Sequence, residues 1–204
     1  MSEQYFSSNP NSQHNEKQIQ TQVNGIDLKL ITDSGVFSKN GVDYGSQSLI
    51  KTFMEEGQLE SGQSILELGS GYGPILIALA KQAPENQYTG VELNERAYQL
   101  AIRNATLNKV EQIEWVLNDA TEVELANKYD YVLTNPPIRA GKKTVHQFVN
   151  QAYDLLKPQG SLWVVIQKKQ GAPSMMSHMN EIFGNASRVS QDKGYWILMS
   201  VKEN

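Results

Sequence analysis

The chain has 204 residues and a formal net charge of −4 at pH 7, which favours one α/β domain over two and excludes nucleic-acid binding through the whole surface. The absence of cysteine excludes disulfides, zinc ribbons, iron–sulfur clusters and thiol nucleophiles, and it fits a reducing cytoplasm. No apolar run is long enough for a signal peptide or a membrane span, so we predict a cytoplasmic protein.

The first quarter of the chain predicts a polar tail followed by a hairpin and a helix. Residues 1–17 are rich in Ser, Asn and Gln, which is typical of a loose tail. Apolar and polar residues alternate in part from Ile19 to Ile31 around Asn24-Gly25, a pair that favours a β-hairpin turn. A helix is predicted from Ser46, as its N-cap, to about Glu56.

From Ser64 onward the sequence alternates between strand and helix patterns. Strands are predicted at 64–68, 87–92, 113–117, 129–134 and 161–166, and helices at 74–82, 95–108, 146–156 and 175–183. Two final strands, around Val189 and at Tyr195–Val201, follow one another without an intervening helix. We therefore predict an α/β domain over residues 18–204, in which residues 18–57 form an N-terminal extension. Its sheet has seven mostly parallel strands, an antiparallel strand at one edge, and helices on both faces.

A glycine-rich turn follows the first strand of this alternating region. It comprises Gly69, Ser70, Gly71, Tyr72 and Gly73. Glycine permits a sharp turn and lets a ligand approach the backbone closely. The spacing is GxGxG and differs from the GxGxxG of dinucleotide-binding enzymes. The strand also ends in Glu67, whose carboxylate would repel a pyrophosphate and suit the ammonium of an amino-acid-like ligand.

Acidic and amide residues end the next two strands. Glu92 lies about 20 residues further along, where a carboxylate can accept both hydroxyls of a ribose. Asn118 and Asp119 follow one strand later, placed to accept from an adenine amino group. Ammonium, ribose and adenine together describe S-adenosylmethionine (SAM). The alternative is a tight turn with three surface acids.

The segment Asn135-Pro136-Pro137 is the most specific signal in the chain. Neither proline has an N–H, so the segment is stiff and offers carbonyls without donors. An exocyclic amine is a poor nucleophile because its lone pair is delocalised. The Asn135 side-chain oxygen and the Pro136 carbonyl can hold both N–H groups, orient that lone pair and stabilise the developing positive charge. We predict that all three residues are catalytic; the alternative is a strand exit that proline merely stiffens.

These motifs resemble class I SAM-dependent methyltransferases. Within that class the chain is similar to the single-domain relatives of the bacterial small-subunit (16S) ribosomal RNA guanine-N2 methyltransferases. The resemblance runs from about Tyr5 to the C-terminus and includes Gly35–Ser38, Asp43–Ser46 and Gln167–Gln170. It implies a Rossmann-like fold, SAM as methyl donor, and a guanine amine of ribosomal RNA as acceptor. Larger family members carry a second, degenerate half that is absent from this sequence.

The motifs and the resemblance together define a set of expected cofactor contacts. They are Phe37, Glu67, Gly69, Ser70, Gly71, Tyr72, Gly73, Glu92, Leu93, Asn118, Asp119, Ala120 and Asn135. Many amino-methyltransferases place an aromatic residue after Asn-Pro-Pro to stack on a flipped base, whereas this chain has Ile138.

Basic residues follow two of the predicted strand ends. Arg139, Lys142 and Lys143 come after the Asn-Pro-Pro segment, and Lys168 and Lys169 come after the next strand. Both loops lie at the carboxyl edge of a parallel sheet. We predict that these five residues and Ile138 contact the substrate, and that the five cations hold RNA phosphates; the alternative is a solvated loop.

Several expectations remain open from the sequence. The three histidines share no metal-ligand spacing, so we predict no metal, and we expect a monomer that acts on ribosomal RNA or the small ribosomal subunit. Three alternatives remain: methylation of another amine (adenine, a glutamine amide or a small molecule), a noncatalytic SAM- or RNA-binding assembly factor, and a nicotinamide oxidoreductase. The GxGxG spacing and the acidic strand ends disfavour the last.

Overall fold

An N-terminal hairpin precedes the main sheet. The computed structural model describes residues 13–38 and 40–204, so residues 1–12 of the predicted tail lie outside the described residues. Strands β1 (Lys17–Val23) and β2 (Ile26–Thr32) pair antiparallel, which confirms the predicted hairpin. Asn24 and Gly25 have φ values of 48° and 80°, the positive values that a type I′ turn requires at both central positions.

The main sheet contains the seven strands that the alternating pattern predicts. They are β3 (Ser64–Leu68), β4 (Gln87–Glu92), β5 (Ile113–Leu117), β6 (Tyr129–Thr134), β7 (Leu156–Gln167), β8 (Ser187–Asp192) and β9 (Tyr195–Val201). Their spatial order is β5-β4-β3-β6-β7-β9-β8. The first five are parallel, and β9 runs antiparallel to both β7 and β8. The predicted seven-stranded sheet with an antiparallel arrangement at one edge is confirmed.

Helices cover both faces of the sheet. They are α1 (Tyr44–Glu56), α2 (Pro74–Gln82), α3 (Glu95–Leu107), α4 (Lys142–Leu155) and α5 (Ala172–Phe183). One hydrophobic core unites α1, α2, α3 and the hairpin, and the other unites α4 and α5. The central strand β3 is buried on both sides: Ile65 belongs to the first core and Leu66 to the second, as the two-residue period of a strand requires.

The hairpin is held to the domain by two asparagines of the α3 region. The Asn104 side chain accepts from the backbone N–H of Ile31 at 2.6 Å and donates to its carbonyl at 3.0 Å. Asn108 makes the same pair of bonds to Lys29, at 3.1 and 2.7 Å. These amides satisfy backbone groups on the edge of β2 that would otherwise be left unpaired.

The predicted N-cap of α1 is wrong. The helix begins at Tyr44, and Asp43 is the N-cap because its Oδ1 accepts from the backbone N–H of Ser46 at 3.1 Å. Asp and Ser are both favoured caps, so composition alone does not separate them. Ser46 instead lies inside the first turn, with its hydroxyl available to the neighbouring strand end.

Three other elements begin earlier than predicted. Helix α5 starts at Ala172, three residues before the predicted start at Met175, because Gly171 rather than an apolar residue marks its N-terminus. Helix α4 starts at Lys142, four residues before the predicted start at His146, because its polar first turn carries no apolar signal. Strand β7 starts at Leu156, where the predicted helix ended, and includes Lys157-Pro158. No helix within the described part of the chain is long and apolar enough to span a membrane.

Candidate active site

A cavity of about 980 Å³ lies at the carboxyl edge of the parallel strands. Loops after β2, β3, β4 and β6 contribute its walls, as expected where the strand order reverses in an open α/β sheet. The predicted site residues that line it are Phe37, Glu67, Gly69, Ser70, Gly71, Tyr72, Glu92, Leu93, Asp119, Ala120, Asn135, Pro136, Pro137, Ile138 and Arg139. Others from the prediction lie outside its lining: Gly73, Asn118, Lys142, Lys143, Lys168 and Lys169.

The glycine-rich turn is shaped by positive φ at each of its glycines. Gly69 and Gly71 have φ values of 74° and 58°, which favour glycine over any residue with a Cβ. The backbone N–H groups of Gly69 and Ser70 donate to the Val91 carbonyl at 2.9 and 3.0 Å, which fixes the turn against β4. Gly73 serves packing, because a Cβ there would lie 2.7 Å from the ring of Trp115.

Glu92 is buried and held by backbone donors. One carboxylate oxygen accepts from the N–H of Gly71 at 2.7 Å and the other from the N–H of Asn94 at 2.8 Å. Burial raises the pKa of Glu92 even though these hydrogen bonds lower it in part. The side chain is therefore fixed at the end of β4, beside the glycine-rich turn, where it faces the cavity.

Glu67 carries an unsatisfied oxygen in the same cavity. Its side chain is only 2% exposed, and its Oε2 has no hydrogen-bond partner among the described residues. Burial, then the charges of Glu92 and Asp43, raise the pKa of Glu67 well above its usual value. A buried carboxylate oxygen without a hydrogen-bond donor is costly, so the site favours a ligand that brings a cationic donor. The contact between Glu67 and the ammonium of SAM stays a prediction.

The Asn135-Pro136-Pro137 segment lines the same cavity as Glu67, at the end of the strand that pairs with β3. The Asn135 amide nitrogen donates to the Ser46 hydroxyl at 3.0 Å and to Asp43 Oδ1 at 3.2 Å. A carboxylate can only accept, so the amide nitrogen must be the atom facing Asp43. The carbonyl oxygen of Asn135 is thereby kept as an acceptor. The following turn closes on the carbonyl of Pro137, which accepts from Ala140 at 2.9 Å.

Comparison with known proteins identifies the family. The sequence profile of the methyltransferase small domain matches residues 27–199. The chain belongs to this family. It is 41% identical over 203 residues to the uncharacterized protein YbxB of Bacillus subtilis, covering 99% of this chain and 100% of YbxB. It is 32% identical over 151 residues to ribosomal RNA small subunit methyltransferase C of Aeromonas hydrophila, covering 72% of this chain and 42% of that protein.

A solved structure confirms the methyltransferase fold. The Thermus thermophilus 16S rRNA methyltransferase RsmC, in complex with AdoMet and guanosine, superposes with a TM-score of 0.81 at 24% identity. The match covers 92% of this chain and 50% of that one. This methyltransferase thus spans about half the length of the ribosomal RNA methyltransferases it matches. Membership of a methyltransferase family supports SAM as the methyl donor.

The end of β5 contributes Asp119 to the methyltransferase cavity. Asp119 Oδ1 accepts from the backbone N–H and the hydroxyl of Thr121, at 2.8 and 2.7 Å, which orients the carboxylate. The side-chain oxygen of Asn118 accepts from the backbone N–H of Asp119 at 2.7 Å, and Asn118 is exposed. The Asn118 side chain therefore shapes the loop after β5. The contacts of Asn118 and Asp119 with adenine stay predictions.

Five basic residues lie in, or next to, segments that line the cavity. Arg139 lines the cavity. Lys142 and Lys143 are the first residues of α4, and Lys168 and Lys169 form a short 3₁₀ turn whose last residue, Gln170, lines the cavity. We call these five cations, Arg139, Lys142, Lys143, Lys168 and Lys169, the basic rim. All five are exposed, as contact with a large anionic ligand requires.

Sequence reasoning missed part of the cavity wall. Asp43 and Ser46 line it from the start of α1, and Tyr195 lines it from the start of β9. Asp43 and Ser46 belong to a segment that the family resemblance included without a role. No local pattern marked Tyr195, because a strand start next to a turn is normally a solvent-exposed position.

The loop that follows β2 is anchored by a buried aspartate. The Asp33 side chain is 0% exposed. It accepts from the backbone N–H groups of Asn15 and Ser34 at 2.5 and 2.6 Å and contacts His14 at 2.6 Å and Arg96 at 3.7 Å. Burial alone would raise the pKa of Asp33, but these contacts outweigh it, and the pKa lies below its usual value.

The same cluster has the ligand types of a metal site. His14, Glu16 and Asp33 place one ligand atom each within 4.8 Å of one another. Arg103 already makes a bidentate ion pair with Glu16, at 2.7 and 2.9 Å, and Arg96 contacts Asp33. Two guanidinium groups disfavour a cation there, so we interpret the cluster as an ion-pair network that ties residues 14–16 to the cavity loop.

Replacement of Asp33 tests this anchor. Asp33→Ala removes the buried acceptor of the Asn15 and Ser34 backbone N–H groups and one partner of Arg96, and we expect the free energy of unfolding to fall by about 2–4 kcal/mol. The loss should appear in urea denaturation at pH 7 as a lower midpoint with an unchanged slope. Because folding lowers the pKa of Asp33, its contribution is present above the unfolded pKa and is lost as the pH falls through the folded pKa. Asp27→Ala, on the exposed side of β2, is the matched control; equal midpoints for the two variants would contradict the assignment.

Proposed function

We propose that this chain transfers a methyl group from SAM to an exocyclic amine, and that the amine is guanine N2 in 16S ribosomal RNA. The observation that carries the proposal is the orientation of Asn135, whose amide nitrogen is occupied by Asp43 and Ser46. Its carbonyl oxygen is therefore available as an acceptor in the same cavity as Glu67, whose Oε2 has no hydrogen-bond partner among the described residues.

The chain's residues perform three tasks in this reaction. When bound, SAM supplies an electrophilic methyl group on a sulfonium. Glu67 and Glu92 would hold its ammonium and ribose, and Asp119 its adenine. Asn135 Oδ1 and the Pro136 carbonyl would accept the two N–H bonds of the substrate amine, which turns the nitrogen lone pair toward the methyl group. Both acceptors also stabilise the positive charge that develops on nitrogen as its bond to the methyl carbon replaces the carbon–sulfur bond. The sulfur keeps the electron pair, and the methylated nitrogen then loses one N–H proton to water.

The cavity mouth supports a nucleic-acid substrate. A base inside a duplex cannot reach buried acceptors, so the target must be unpaired or flipped out of its stack. Ile138 stands where many amino-methyltransferases have an aromatic residue, but Phe37 and Tyr195 also line the cavity. Phe37, which the sequence predicts as a cofactor contact, is 39% exposed, so its ring can also stack on an incoming base. The basic rim would hold the flanking phosphates.

The relatives support ribosomal RNA as the substrate class. The A. hydrophila relative is a small-subunit ribosomal RNA methyltransferase by name, and the T. thermophilus RsmC structure contains AdoMet and guanosine. A release factor glutamine methyltransferase from Fusobacterium nucleatum is 39% identical over 75 residues, 36% of this chain. A glutamine amide also offers two N–H bonds to the same acceptors. The cytoplasmic location and the monomeric state stay predictions.

Methyl transfer from labelled SAM tests the proposed acceptor. Small ribosomal subunits from cells lacking this gene are incubated with the protein and radiolabelled SAM, and the RNA is digested to nucleosides. Labelled N2-methylguanosine is the expected product. A different labelled nucleoside would contradict guanine N2 as the target but would still support methyl transfer from SAM to RNA. Label in release factor and none in RNA would move the acceptor to a glutamine amide.

Neutralising the basic rim should weaken RNA binding without affecting the cofactor site. We expect the double variant Lys168→Gln, Lys169→Gln to reduce RNA affinity about tenfold near 0.1 M salt and to lower the salt slope by roughly one to two. Filter binding against salt concentration measures both. Lys109→Gln with Lys128→Gln removes the same charge from segments before β5 and β6, at the opposite edge of the sheet. Equal losses in both double variants would show a nonspecific charge effect and contradict the rim.

A further inference from the structure

Asp43 makes contacts that connect the first turn of α1 to the end of β6. Its Oδ1 accepts from the Ser46 backbone N–H at 3.1 Å and from the Asn135 amide nitrogen at 3.2 Å, and its Oδ2 lies 3.4 Å from the same nitrogen. The Ser46 hydroxyl lies 3.0 Å from that nitrogen. Two acceptors from one helix start thus surround the amide nitrogen of a residue 92 positions away.

We propose that Asp43 is a positioning residue for methyl transfer: with Ser46 it holds the Asn135 amide in the one orientation that presents oxygen to the substrate amine. The inference rests on the proposed function. It also assigns a role to the segment from Asp43 to Ser46, which helix capping alone does not explain.

The chemistry of the amide makes this contact decisive. The two ends of an asparagine side chain have the same shape but opposite hydrogen-bonding character. In the flipped orientation the NH₂ group of Asn135 would face the N–H groups of the substrate amine. The substrate would then lose one hydrogen-bond acceptor, and the facing N–H groups would repel each other. A carboxylate next to the nitrogen excludes the flip, because carboxylate and carbonyl oxygens repel each other. Its charge also polarises the amide and strengthens Oδ1 as an acceptor.

The surroundings of Asp43 keep its carboxylate in place. Gly45 lies between Asp43 and Tyr195: a Cβ at that position would be 3.0 Å from Asp43 Oδ1 and 3.0 Å from the Tyr195 ring. Any larger residue would displace one of the two. Asp43 has an extended backbone, with φ −66° and ψ 158°, which is the ordinary conformation of an N-cap. Its charge also raises the pKa of Tyr195, after burial, which places the carboxylate within the electrostatic reach of the cavity.

Asp43→Asn separates positioning from helix capping. Asparagine caps helices as well as aspartate does, so α1 should keep its stability. The capping Oδ1 is kept, but an N–H donor replaces Oδ2, which lies 3.4 Å from the Asn135 nitrogen, so we expect the Asn135 amide to populate both orientations. The rate of methyl transfer at saturation should fall about 10–100-fold, less than for complete loss of the acceptor because part of the population keeps the productive orientation, while the SAM dissociation constant stays within about threefold.

Two measurements exclude a merely structural role. On the Asn135→Ala background, Asp43→Asn should cause no further loss, because the residue that it positions is gone. An additive loss would overturn the inference. Ser46→Ala should give a smaller loss than Asp43→Asn, since it removes one neutral acceptor and leaves the carboxylate.

The side-chain amide of Asn135 provides a readout that needs no substrate. Its ¹H–¹⁵N pair, identified by its absence in Asn135→Ala, should be shifted and protected from exchange in the wild type and should lose both properties in Asp43→Asn. An unchanged pair in Asp43→Asn would overturn the inference. If the wild type methylated no amine but this pair still responded, the proposed function would fail while the positioning contact stood.

Discussion

Replacement of Asn135 by alanine should lower the rate of methyl transfer by about 10²–10³-fold, the usual effect of removing one preorganised hydrogen-bonding group from a transition state. The variant loses the acceptor that, with the Pro136 carbonyl, orients the amine. Its nitrogen lone pair then stays delocalised, and the charge developing on it has one partner fewer. The measurement is single-turnover transfer from labelled SAM to the substrate that the wild type modifies.

The affinity for SAM separates this role from a general loss of structure. Asn135 contacts α1 through Asp43 and Ser46, so the variant's unfolding midpoint and SAM dissociation constant are measured alongside the rate. The midpoint should change little, and because Asn135 is also a predicted cofactor contact, SAM affinity should fall somewhat but far less than the rate. Asn150→Ala removes an exposed amide of α4 whose partner is His178, and it should keep the wild-type rate. Near-normal turnover of Asn135→Ala would show that the assignment of the catalytic acceptor is wrong.

Glu67→Gln should weaken SAM binding by about 10–100-fold, the range for a lost hydrogen bond to a charged group. The glutamine keeps the shape of the side chain but cannot neutralise an ammonium. The same change should stabilise the ligand-free protein, because it removes a buried carboxylate with an unsatisfied oxygen. A variant that is more stable and binds its cofactor less well is expected where an unfavourable buried group is kept because the ligand needs it.

The pH dependence of the two effects follows from the pKa of Glu67. Burial raises that pKa, so the folded protein holds the proton more tightly than the unfolded chain does. Glu67 therefore destabilises the folded state increasingly as the pH rises from its unfolded toward its folded pKa. The stability gain of Glu67→Gln should grow over that range. SAM binding requires the carboxylate, so wild-type affinity should rise with pH and the affinity of the variant should depend on pH less.

Calorimetry and thermal unfolding across pH test these expectations. Titration of SAM in two buffers with different ionisation enthalpies should reveal proton release from the wild type and less from the variant. Glu85→Gln, an exposed acid before β4, should alter neither the affinity nor its pH dependence. Wild-type affinity in Glu67→Gln would show that this carboxylate does not contact the ammonium.

The core of the fold could be predicted because its strands are short, apolar and sharply bounded. Strands β3 to β6 begin and end where the sequence places them, since glycine or polar residues interrupt each buried run. Errors occur where boundaries depend on tertiary contacts. The first turn of α4 is polar, and β7 begins at a leucine that also fits the preceding helix. The predicted cap of α1, Ser46, is wrong because Asp43 and Ser46 are equally good N-cap residues by type.

The site could be predicted where function lies at strand ends. Glu67, Glu92 and Asp119 end or follow successive parallel strands, and such ends meet at one edge of a sheet. Asp43 and Tyr195 could not be placed in the same way, because they reach the cavity from elements far away in sequence. Only the folded chain shows that Asp43 contacts Asn135. The residues that orient a catalytic group are thus harder to predict than the group itself.

A crystal structure of the protein with S-adenosylhomocysteine and guanosine tests the central claim most directly. Our account predicts that the amino acid group of the ligand lies against Glu67, and that guanine N2 lies about 3 Å from both Asn135 Oδ1 and the Pro136 carbonyl. The N2 atom should also point toward the sulfur. A complex in which guanine places its O6 or a ring nitrogen against these acceptors, or in which the amine lies away from the sulfur, would contradict amine methylation by Asn135 and Pro136.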